Sequence, residues 1–171
     1  MQIFLKKLSI LGLILFISAC GFQLRGDIQA NFDSISISGG TSGFNKTLQR
    51  KFRQAGITIA SASEAEKIVE IIENKFTKTI LTLTGTGAVS EYQLDYDVTY
   101  RFKSKDGLWN LPVTIEATRT YTYDDSDILA KDEEEKRLVS GMEDQLIKTM
   151  ATQISLSKKN ASKICTNKYT H

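Results

Sequence analysis

The residue of this 171-residue chain with the clearest chemistry is Cys20, which follows a short hydrophobic leader. Ile17 lies three positions before it, and the two small residues Ser18 and Ala19 separate them. Small side chains let the backbone enter a protease cleft, and a cysteine thiol can be alkylated by a diacylglyceryl group. The pattern predicts cleavage before Cys20 and attachment of lipid to its sulfur, so that acyl chains hold the mature chain on a membrane.

The leader, residues 1–19, has the parts of a secretory signal peptide, and its last residues resemble a bacterial lipobox. Lys6 and Lys7 form a basic start, and an apolar run over residues 8–17 follows. A hydrocarbon core about 30 Å thick needs roughly 20 apolar residues, so this run is too short to span it. Two alternatives remain open: a signal peptide that carries no lipid, and a short N-terminal helix of the folded domain.

The composition of the mature chain limits its function. Removal of 19 residues from 171 leaves 152, which is enough for one domain with a hydrophobic core. The leader takes two of the 22 basic residues and no acid, so 20 basic and 20 acidic residues remain. A chain without net charge produces no strong electrostatic field that would attract nucleic acid, and we expect no nucleic-acid partner. The single histidine, His171, is the last residue, which argues against a catalytic triad or a His-based metal site.

Two further groups of residues could carry chemistry. Cys165 can be a free thiol or an intermolecular partner, because a lipidated Cys20 cannot form a disulfide; a tail cysteine without a role is the simpler interpretation. Asp95 and Asp97 share one face of a predicted strand and could act as an acid–base pair. Without a suitable histidine, a metal cluster or a nucleophile elbow, a solvated or interface face is the better interpretation. We therefore expect no enzymatic activity and no cofactor apart from the covalent lipid.

The first half of the domain is predicted to contain a strand, a helix and a longer strand. Residues 32–38 alternate apolar and polar side chains, as in a half-buried strand. The helix that follows has one apolar stripe, formed by Phe44, Leu48 and Phe52. A short extended piece at 57–59 comes next. The long strand predicted over 66–83 loses its alternation near Asn74, as a bulge would cause.

The strongest pattern in the chain predicts the next strand, whose even-numbered residues share an apolar face: Tyr92, Leu94, Tyr96, Val98, Tyr100 and Phe102. Asp106-Gly107 is a hairpin turn signal, and the partner strand over 111–123 carries Arg119 on an otherwise apolar face. Acidic residues then precede a long helix predicted over 128–156. Its apolar stripe comprises Val139, Met142, Leu146, Met150 and Ile154. The polar tail, residues 157–171, is predicted to be frayed.

This order of elements predicts a single α+β domain over residues 20–156. We expect a two-layer sandwich, in which a mostly antiparallel sheet of about four strands carries two amphipathic helices on one face. The other face presents Asp, Arg, Thr and Gln side chains, so it is either solvated or a contact surface. With one proline and no low-complexity run, the chain shows no sign of an interdomain linker.

Four short segments share their patterns with one family of lipoproteins: residues 20–25, 91–94, 119–124 and 129–132. The first reads Cys-Gly, an aromatic, a polar residue, Leu and Arg, and the second opens a strand with Glu-Tyr-Gln. The third joins an arginine to alternating aromatics and an acid, and the fourth begins a helix with Leu-Ala-Lys-Asp. Because they occur in the family's order and cover most of the mature chain, the chain resembles the LPS-assembly lipoproteins of the LptE family.

The resemblance implies a function that residue spacing does not reveal. Proteins of the LptE family form a plug inside the outer-membrane β-barrel LptD, help that barrel to assemble, and bind lipopolysaccharide on its way to the outer leaflet. The implied partners are thus LptD, lipopolysaccharide and the inner leaflet of the outer membrane, which the lipid on Cys20 would reach. Gly21, in place of the Asp of inner-membrane retention, favours outer-membrane sorting. The alternatives are a free-standing periplasmic lipoprotein that binds a small ligand or peptidoglycan on its sheet and, more remotely, a lipid-anchored hydrolase.

Basic side chains are implicated in lipopolysaccharide binding by the family, and Lys131 matches one such position. An ammonium group is a suitable point-charge partner for a lipid A phosphate. A second basic position is expected in the turn before Glu91, but residues 84–88, around Gly85, contain none. The alternative interpretation of Lys131 is a solvated side chain that pairs with Asp127 or Glu135, one helical turn away.

Overall fold

The computed structural model describes residue 28 and residues 30–166, with side chains up to residue 157. The leader and Cys20 lie outside the described residues, so their predictions stay predictions. One sheet contains the strands β1 (Ser34–Gly39), β2 (Thr58–Ile59), β3 (Lys67–Leu83), β4 (Val89–Ser104) and β5 (Val113–Thr122). The helices are α1 (Ser42–Gln54) and α2 (Ile128–Thr166), and a short 3₁₀ turn, Asp125–Asp127, leads into α2.

The strand order in the sheet is β2-β1-β3-β4-β5. β1 runs parallel to β2 and β3, while β3, β4 and β5 form an antiparallel meander. The predicted α+β sandwich is confirmed, with five strands instead of about four. The additional strand is the short piece after α1: the Thr58 N–H donates to the Asp33 carbonyl at 2.9 Å, and the Ala60 N–H donates to the Ile35 carbonyl at 3.0 Å. Two residues therefore suffice to add an edge strand.

Both helices cover the same face of the sheet, as the apolar stripes predict. The Phe44 ring of α1 lies 5.9 Å from the Tyr96 ring of β4, and the Tyr100 hydroxyl donates to Gln153 Oε1 of α2 at 2.5 Å. The even-numbered face of β4 is buried from Leu94 to Phe102. The helices contribute the rest of the core, chiefly Phe44, Leu48, Phe52, Met142, Leu146, Ile147, Met150 and Ile154. Burial of this face explains why β4 shows the clearest alternation.

The predicted slip in β3 is a bulge, between Ile71 and Glu73, where the pairing register with β4 shifts. β1 ends at the same level, because Gly39 pairs with Ile71. Gly39 has a φ of 73°, and a β-carbon there would lie 2.1 Å from the Ile71 carbonyl oxygen. Beyond Ile71, the β1 side of β3 has no strand partner in the described part of the chain. About two thirds of β3 is therefore an open edge.

α2 is longer than its apolar stripe predicts. The sequence predicts an end at Leu156 and a frayed tail, but the helix continues through Thr166. Residues 157–166 contain neither glycine nor proline, so no strong helix breaker stops the backbone. Within the described residues, no helix is both long and apolar enough to cross a membrane.

Candidate functional site

The first turns of α2 lie over one end of the sheet, beside the turn between β3 and β4. Asp124 sets the start of this segment, since its Oδ1 accepts a hydrogen bond from the Ser126 backbone N–H at 2.8 Å. Hydrogen bonds from Ser126, first from its backbone and then from its side chain, lower the pKa of the Asp124 carboxyl. The capped turn passes into α2 at Ile128, which brings the acidic and basic residues of its first turns next to β3 and β5.

A cluster of Lys78, Tyr121 and Glu135 joins three elements at this end. Both the Lys78 ammonium of β3 and the Tyr121 hydroxyl of β5 donate to Glu135 Oε2 of α2, each at 2.6 Å. The Lys78 ammonium also lies 4.1 Å from the centre of the Tyr92 ring, within cation–π range. Tyr92 in turn stacks on Tyr121, with ring centres 5.8 Å apart. The first turns of α2 are thereby fixed to the sheet.

The charges in this cluster stabilise each other. Burial has the largest single effect on Lys78 and Glu135 and opposes both charged forms, but the hydrogen bonds between the partners outweigh it. The pKa of Lys78 is raised and that of Glu135 is lowered, so both are ionised at neutral pH. Burial first, and then the bond to Glu135, raises the pKa of Tyr121, which stays a hydroxyl donor. The cluster is therefore suited to holding structure and has no free base.

Sequence reasoning missed this cluster, because Lys78 and Glu135 are 57 positions apart. A signal was nevertheless present. Lys78 pairs with the fully buried Leu94, so it lies on the helix-covered face between Phe76 and Ile80. A lysine on that face needs a carboxylate from the covering layer. Arg119, which the sequence places on the apolar face of β5, instead donates to a neutral acceptor of the covering layer, Gln145 Oε1 of α2, at 2.6 Å.

Lys131 lies in the same first turns of α2. Its ammonium is 2.9 Å from Glu134 Oε2 and 3.4 Å from Thr122 Oγ1, and its side chain is only 19% exposed. The carboxylate partner is thus Glu134 at i+3, instead of the expected Asp127 or Glu135. Glu134 is 44% exposed, so an anion that reaches this partly solvated pair would compete with Glu134 for the ammonium. The role of Lys131 in lipopolysaccharide binding stays a prediction.

Arg137 is a second cation at this end that sequence reasoning missed. It lines a hollow of about 430 Å³ together with Ala130, Glu134 and Leu138. The neighbouring Lys136 is paired with Asp132 and Glu133, at 2.7 and 3.0 Å. Arg137, by contrast, makes no ion pair with any described residue. Its guanidinium is therefore available to an anion that enters the hollow from solvent.

Several large apolar side chains of β3 and of the first turn of α2 stay exposed. On β3 they lie on and beside the open edge, and on α2 they lie in the first turn: Phe76, Ile80, Leu81, Leu83, Ile128 and Leu129. An apolar surface of this kind, rimmed by charge, is typical of contact with a partner or an amphiphile. Its combination with Lys131 and Arg137 offers both contacts that a phosphorylated lipid requires.

The outer face of the sheet does not form an acid–base site. Asp95 accepts hydrogen bonds from the Gln93 amide at 2.9 and 3.1 Å and from the Thr118 hydroxyl at 2.9 Å. Asp97 lies apart from these groups, in a shallow polar hollow lined by Glu73, Lys75, Asp97, Thr99, Thr114 and Glu116. Asp95 is held by amide and hydroxyl donors, as in a solvated sheet face. Cys165 lies in the last turn of α2, outside the described side chains.

Comparison with protein families and solved structures places this fold among lipoproteins. The model of a family described as LptE, lipopolysaccharide-assembly, matches residues 32–154. The solution structure of an uncharacterized lipoprotein B from Nitrosomonas europaea has a TM-score of 0.66 and 27% identity, over 81% of this chain and 93% of that one. A comparison with curated protein sequences finds no match.

Two crystal structures at lower identity support the fold. Rare lipoprotein B from Shewanella oneidensis has a TM-score of 0.63 and 24% identity, over 75% of this chain and 98% of that one. A minor lipoprotein from Acinetobacter baumannii has a TM-score of 0.59 and 21% identity, over 76% and 96% of the two chains. The fold of this chain is therefore shared with these two lipoproteins.

Proposed function

Because this chain belongs to the LptE lipopolysaccharide-assembly family, we propose that it is a lipoprotein subunit of the lipopolysaccharide translocon in the outer membrane. Acyl chains on Cys20 hold it at the inner leaflet, and the folded domain forms a plug in the LptD β-barrel. There it assists barrel assembly and the insertion of lipopolysaccharide into the outer leaflet, without enzymatic activity. The observation that carries this proposal is the family match over residues 32–154, which includes the sheet and most of α2.

The lipopolysaccharide site in this proposal is the start of α2. Lipid A combines phosphates with acyl chains, and the first turns of α2 carry the cations Lys131 and Arg137 together with the exposed Ile128 and Leu129. Arg137 supplies a second cation in a chain whose turn at residues 84–88 has none. A planar guanidinium binds a phosphate through two parallel hydrogen bonds, so it is a suitable substitute. The Lys78 cluster fixes the first helical turns and thereby the positions of both cations.

The barrel contact in this proposal is the far part of β3. From residue 72 to residue 83 its edge has no strand partner among the described residues, and Phe76, Ile80, Leu81 and Leu83 are exposed along it. Natural proteins usually cover or charge such an edge, because unpaired N–H and C=O groups attract other strands. The segment also carries Glu73, Lys75 and Lys78, but these large apolar side chains exposed along it favour a permanent partner over free solution.

The partnership is tested by affinity purification of the tagged protein from detergent-solubilised outer membranes. We expect a large β-barrel protein to co-purify in equal amount and to remain bound in high salt, since the contact is apolar. A monodisperse protein without a barrel would refute the plug and favour the free-standing periplasmic lipoprotein. This experiment does not depend on the lipopolysaccharide site, which needs a separate measurement.

The lipid site is tested by titrating purified protein with lipopolysaccharide at two salt concentrations. Lys131→Glu and Arg137→Glu should each weaken binding at least tenfold, because a hydrogen bond to a charged group is worth roughly 1.5–3 kcal/mol. Lys136→Glu makes the same charge change one residue away and is the matched control, since its ammonium is already paired with Asp132 and Glu133. Equal losses in all three variants would indicate a general charge effect and remove the site from α2.

A further inference from the structure

The loop between β4 and β5, residues 105–112, exposes both of its leucine side chains almost fully. Leu108 is 95% exposed and Leu111 is 85% exposed, while Trp109 between them is 37% exposed. Removing a leucine side chain from water is favourable, so two fully exposed leucines favour contact with an apolar phase. They lie outside the lipid and barrel sites proposed above, which are at the other end of the sheet.

The loop is held in a fixed shape by its own hydrogen bonds. Asn110 forms a closed pair with Phe102: its Oδ1 accepts from the Phe102 N–H at 2.6 Å, and its N–H donates to the Phe102 carbonyl at 3.0 Å. The Trp109 ring lies against the Arg101 guanidinium at 4.7 Å and the Lys103 ammonium at 5.3 Å. Arg101 is itself fixed by Glu70 at 2.6 Å. The exposed leucines therefore project from an ordered platform.

This loop lies where the chain enters the domain. Glu66 connects the two: its carbonyl accepts from the Lys105 N–H at 2.9 Å, and its Oε2 accepts from the Asp33 N–H at 3.2 Å. The chain that leads back from Asp33 to Cys20 is short, and its full extension is at most about 45 Å. A lipid on Cys20 thus keeps this end of the domain close to the bilayer surface.

We propose that residues 105–112 form a membrane-docking loop, which inserts Leu108 and Leu111 into the leaflet that holds the lipid on Cys20. Trp109 then lies at the level of the headgroups, where tryptophan is enriched in membrane proteins. Anchoring makes this insertion intramolecular, so even a weak affinity of the loop for lipid is sufficient. The loop fixes the orientation of the domain on the membrane. This inference rests on the proposed lipidation of Cys20.

The charges near the loop decide the chemistry of the surface that it binds. Lys103 and Lys105 carry positive charge, while Asp106 on the loop and Asp33 and Glu66 at the chain entrance carry negative charge. These charges nearly cancel, so the long-range attraction to an anionic surface is weak. The insertion of apolar side chains is therefore the force that drives docking of the loop. A zwitterionic phospholipid surface, without anionic lipid, is sufficient for this docking. Docking should therefore depend little on salt or on anionic lipid.

Trp109 is the only tryptophan of the chain, so its fluorescence reports on this loop alone. The lipidated full-length protein is reconstituted into vesicles of phosphatidylcholine, with and without phosphatidylglycerol, that contain phospholipids brominated on their acyl chains. We expect the brominated lipids to quench Trp109 equally in both compositions, and acrylamide to quench it less than in detergent. The double variant Leu108→Ser/Leu111→Ser should lose at least half of the quenching by lipid while its melting temperature stays unchanged.

A matched control is the double variant Leu81→Ser/Leu83→Ser, which removes two exposed leucines from the other end of the sheet and should leave the quenching unchanged. Mass spectrometry and vesicle flotation are measured on every sample. Absence of the acyl mass would overturn the anchoring and this inference together. Acylated, floating protein with unquenched Trp109 would overturn the inference alone. Quenching that stays above half of the wild-type value in Leu108→Ser/Leu111→Ser would also overturn it, because the leucines would then not be the inserted groups.

Discussion

At the residue scale, two glutamates of α2 show how the same side chain can have opposite effects on stability. Glu135 accepts hydrogen bonds from Lys78 and Tyr121, which overcome the effect of burial and lower its pKa. Glu143 lies near the Tyr96 hydroxyl, at 3.4 Å, and burial raises its pKa. The ionised carboxylate of Glu135 therefore stabilises the fold, whereas that of Glu143 destabilises it. Replacing each glutamate by glutamine should therefore change the free energy of unfolding in opposite directions.

Glu135→Gln should destabilise the protein at neutral pH, because the amide cannot form the ion pair with Lys78. A carboxyl whose pKa is lowered on folding stabilises the folded protein at any pH above its unfolded pKa of 4.5. This contribution disappears as the pH falls through the lower pKa of the folded state. The difference in unfolding free energy between the wild type and Glu135→Gln should thus be greatest near pH 7 and shrink below about pH 4.5. Urea titrations at several pH values measure it. A constant difference would mean that packing is lost instead of charge.

Glu143→Gln should leave the protein equally or more stable at neutral pH, since glutamine keeps a contact with Tyr96 without a partly buried charge. A carboxyl whose pKa is raised on folding destabilises the folded protein at high pH, where it is ionised. The wild type regains this stability as the pH falls through the pKa of the folded state. The advantage of Glu143→Gln should therefore vanish by about pH 4.5, the unfolded value. The same urea titrations provide the data, with Glu135→Gln as the comparison of opposite sign. Destabilisation at pH 7 would contradict the assigned effect of burial.

At the element scale, the end of β1 depends on one glycine. Gly39→Ala should destabilise the protein by about 2 kcal/mol or more, because a β-carbon would overlap the Ile71 carbonyl oxygen at 2.1 Å, at a φ of 73°. Gly141→Ala is the matched control: it lies within α2 with no heavy atom near its missing β-carbon, and alanine should stabilise the helix by up to about 1 kcal/mol. Thermal unfolding of both variants measures the contrast, and equal changes would contradict the close packing of β1 on the bulge.

Most of the elements could be predicted from the sequence, for reasons that particular residues make clear. β4 is buried on one face from Leu94 to Phe102, so its alternation is complete and visible. The two helices carry continuous apolar stripes for the same reason. The far part of β3 was harder, since its inner face holds the exposed Phe76 and Ile80 beside a lysine. No pattern within a single strand shows how far β1 and α1 cover that face.

The candidate site was less predictable than the fold. Lys131 was identified as a candidate from the family resemblance. Arg137 could be identified only from the structure, because the distances show that Lys136 is paired with Asp132 and Glu133 while Arg137 has no such partner among the described residues. The Lys78 cluster depends on contacts between β3, β5 and α2, which short-range spacing does not contain. The loop at 105–112 reads as a turn in the sequence. Its importance follows from its exposure and from its place beside the entering chain.

At the scale of the whole molecule, exposed apolar side chains concentrate at the two ends of the sheet. One end carries Leu108 and Leu111, near the point where the chain enters the domain; the other carries Leu81 and Leu83, near the turn between β3 and β4. The sheet between them is covered by helices on one face and is polar on the other. This arrangement suits a domain with two separate contact surfaces, as proposed above: the membrane at the anchored end and the barrel along the far part of β3.

Substitutions at one end of the sheet should therefore weaken the contact at that end and leave the other contact intact. Leu81→Asp/Leu83→Asp should reduce co-purification of the barrel several-fold, because each leucine forfeits about 1.5–3 kcal/mol of apolar burial and each aspartate adds a charge that the contact must desolvate. Both side chains are exposed in the isolated domain, so its free energy of unfolding should change by less than about 0.5 kcal/mol per substitution. Leu108→Asp/Leu111→Asp is the control at the anchored end and should leave the barrel yield unchanged. Quantitative purification from outer membranes, with the melting temperature of each variant, separates the outcomes. Equal loss of barrel in both double variants would show that the domain does not present distinct ends to distinct partners.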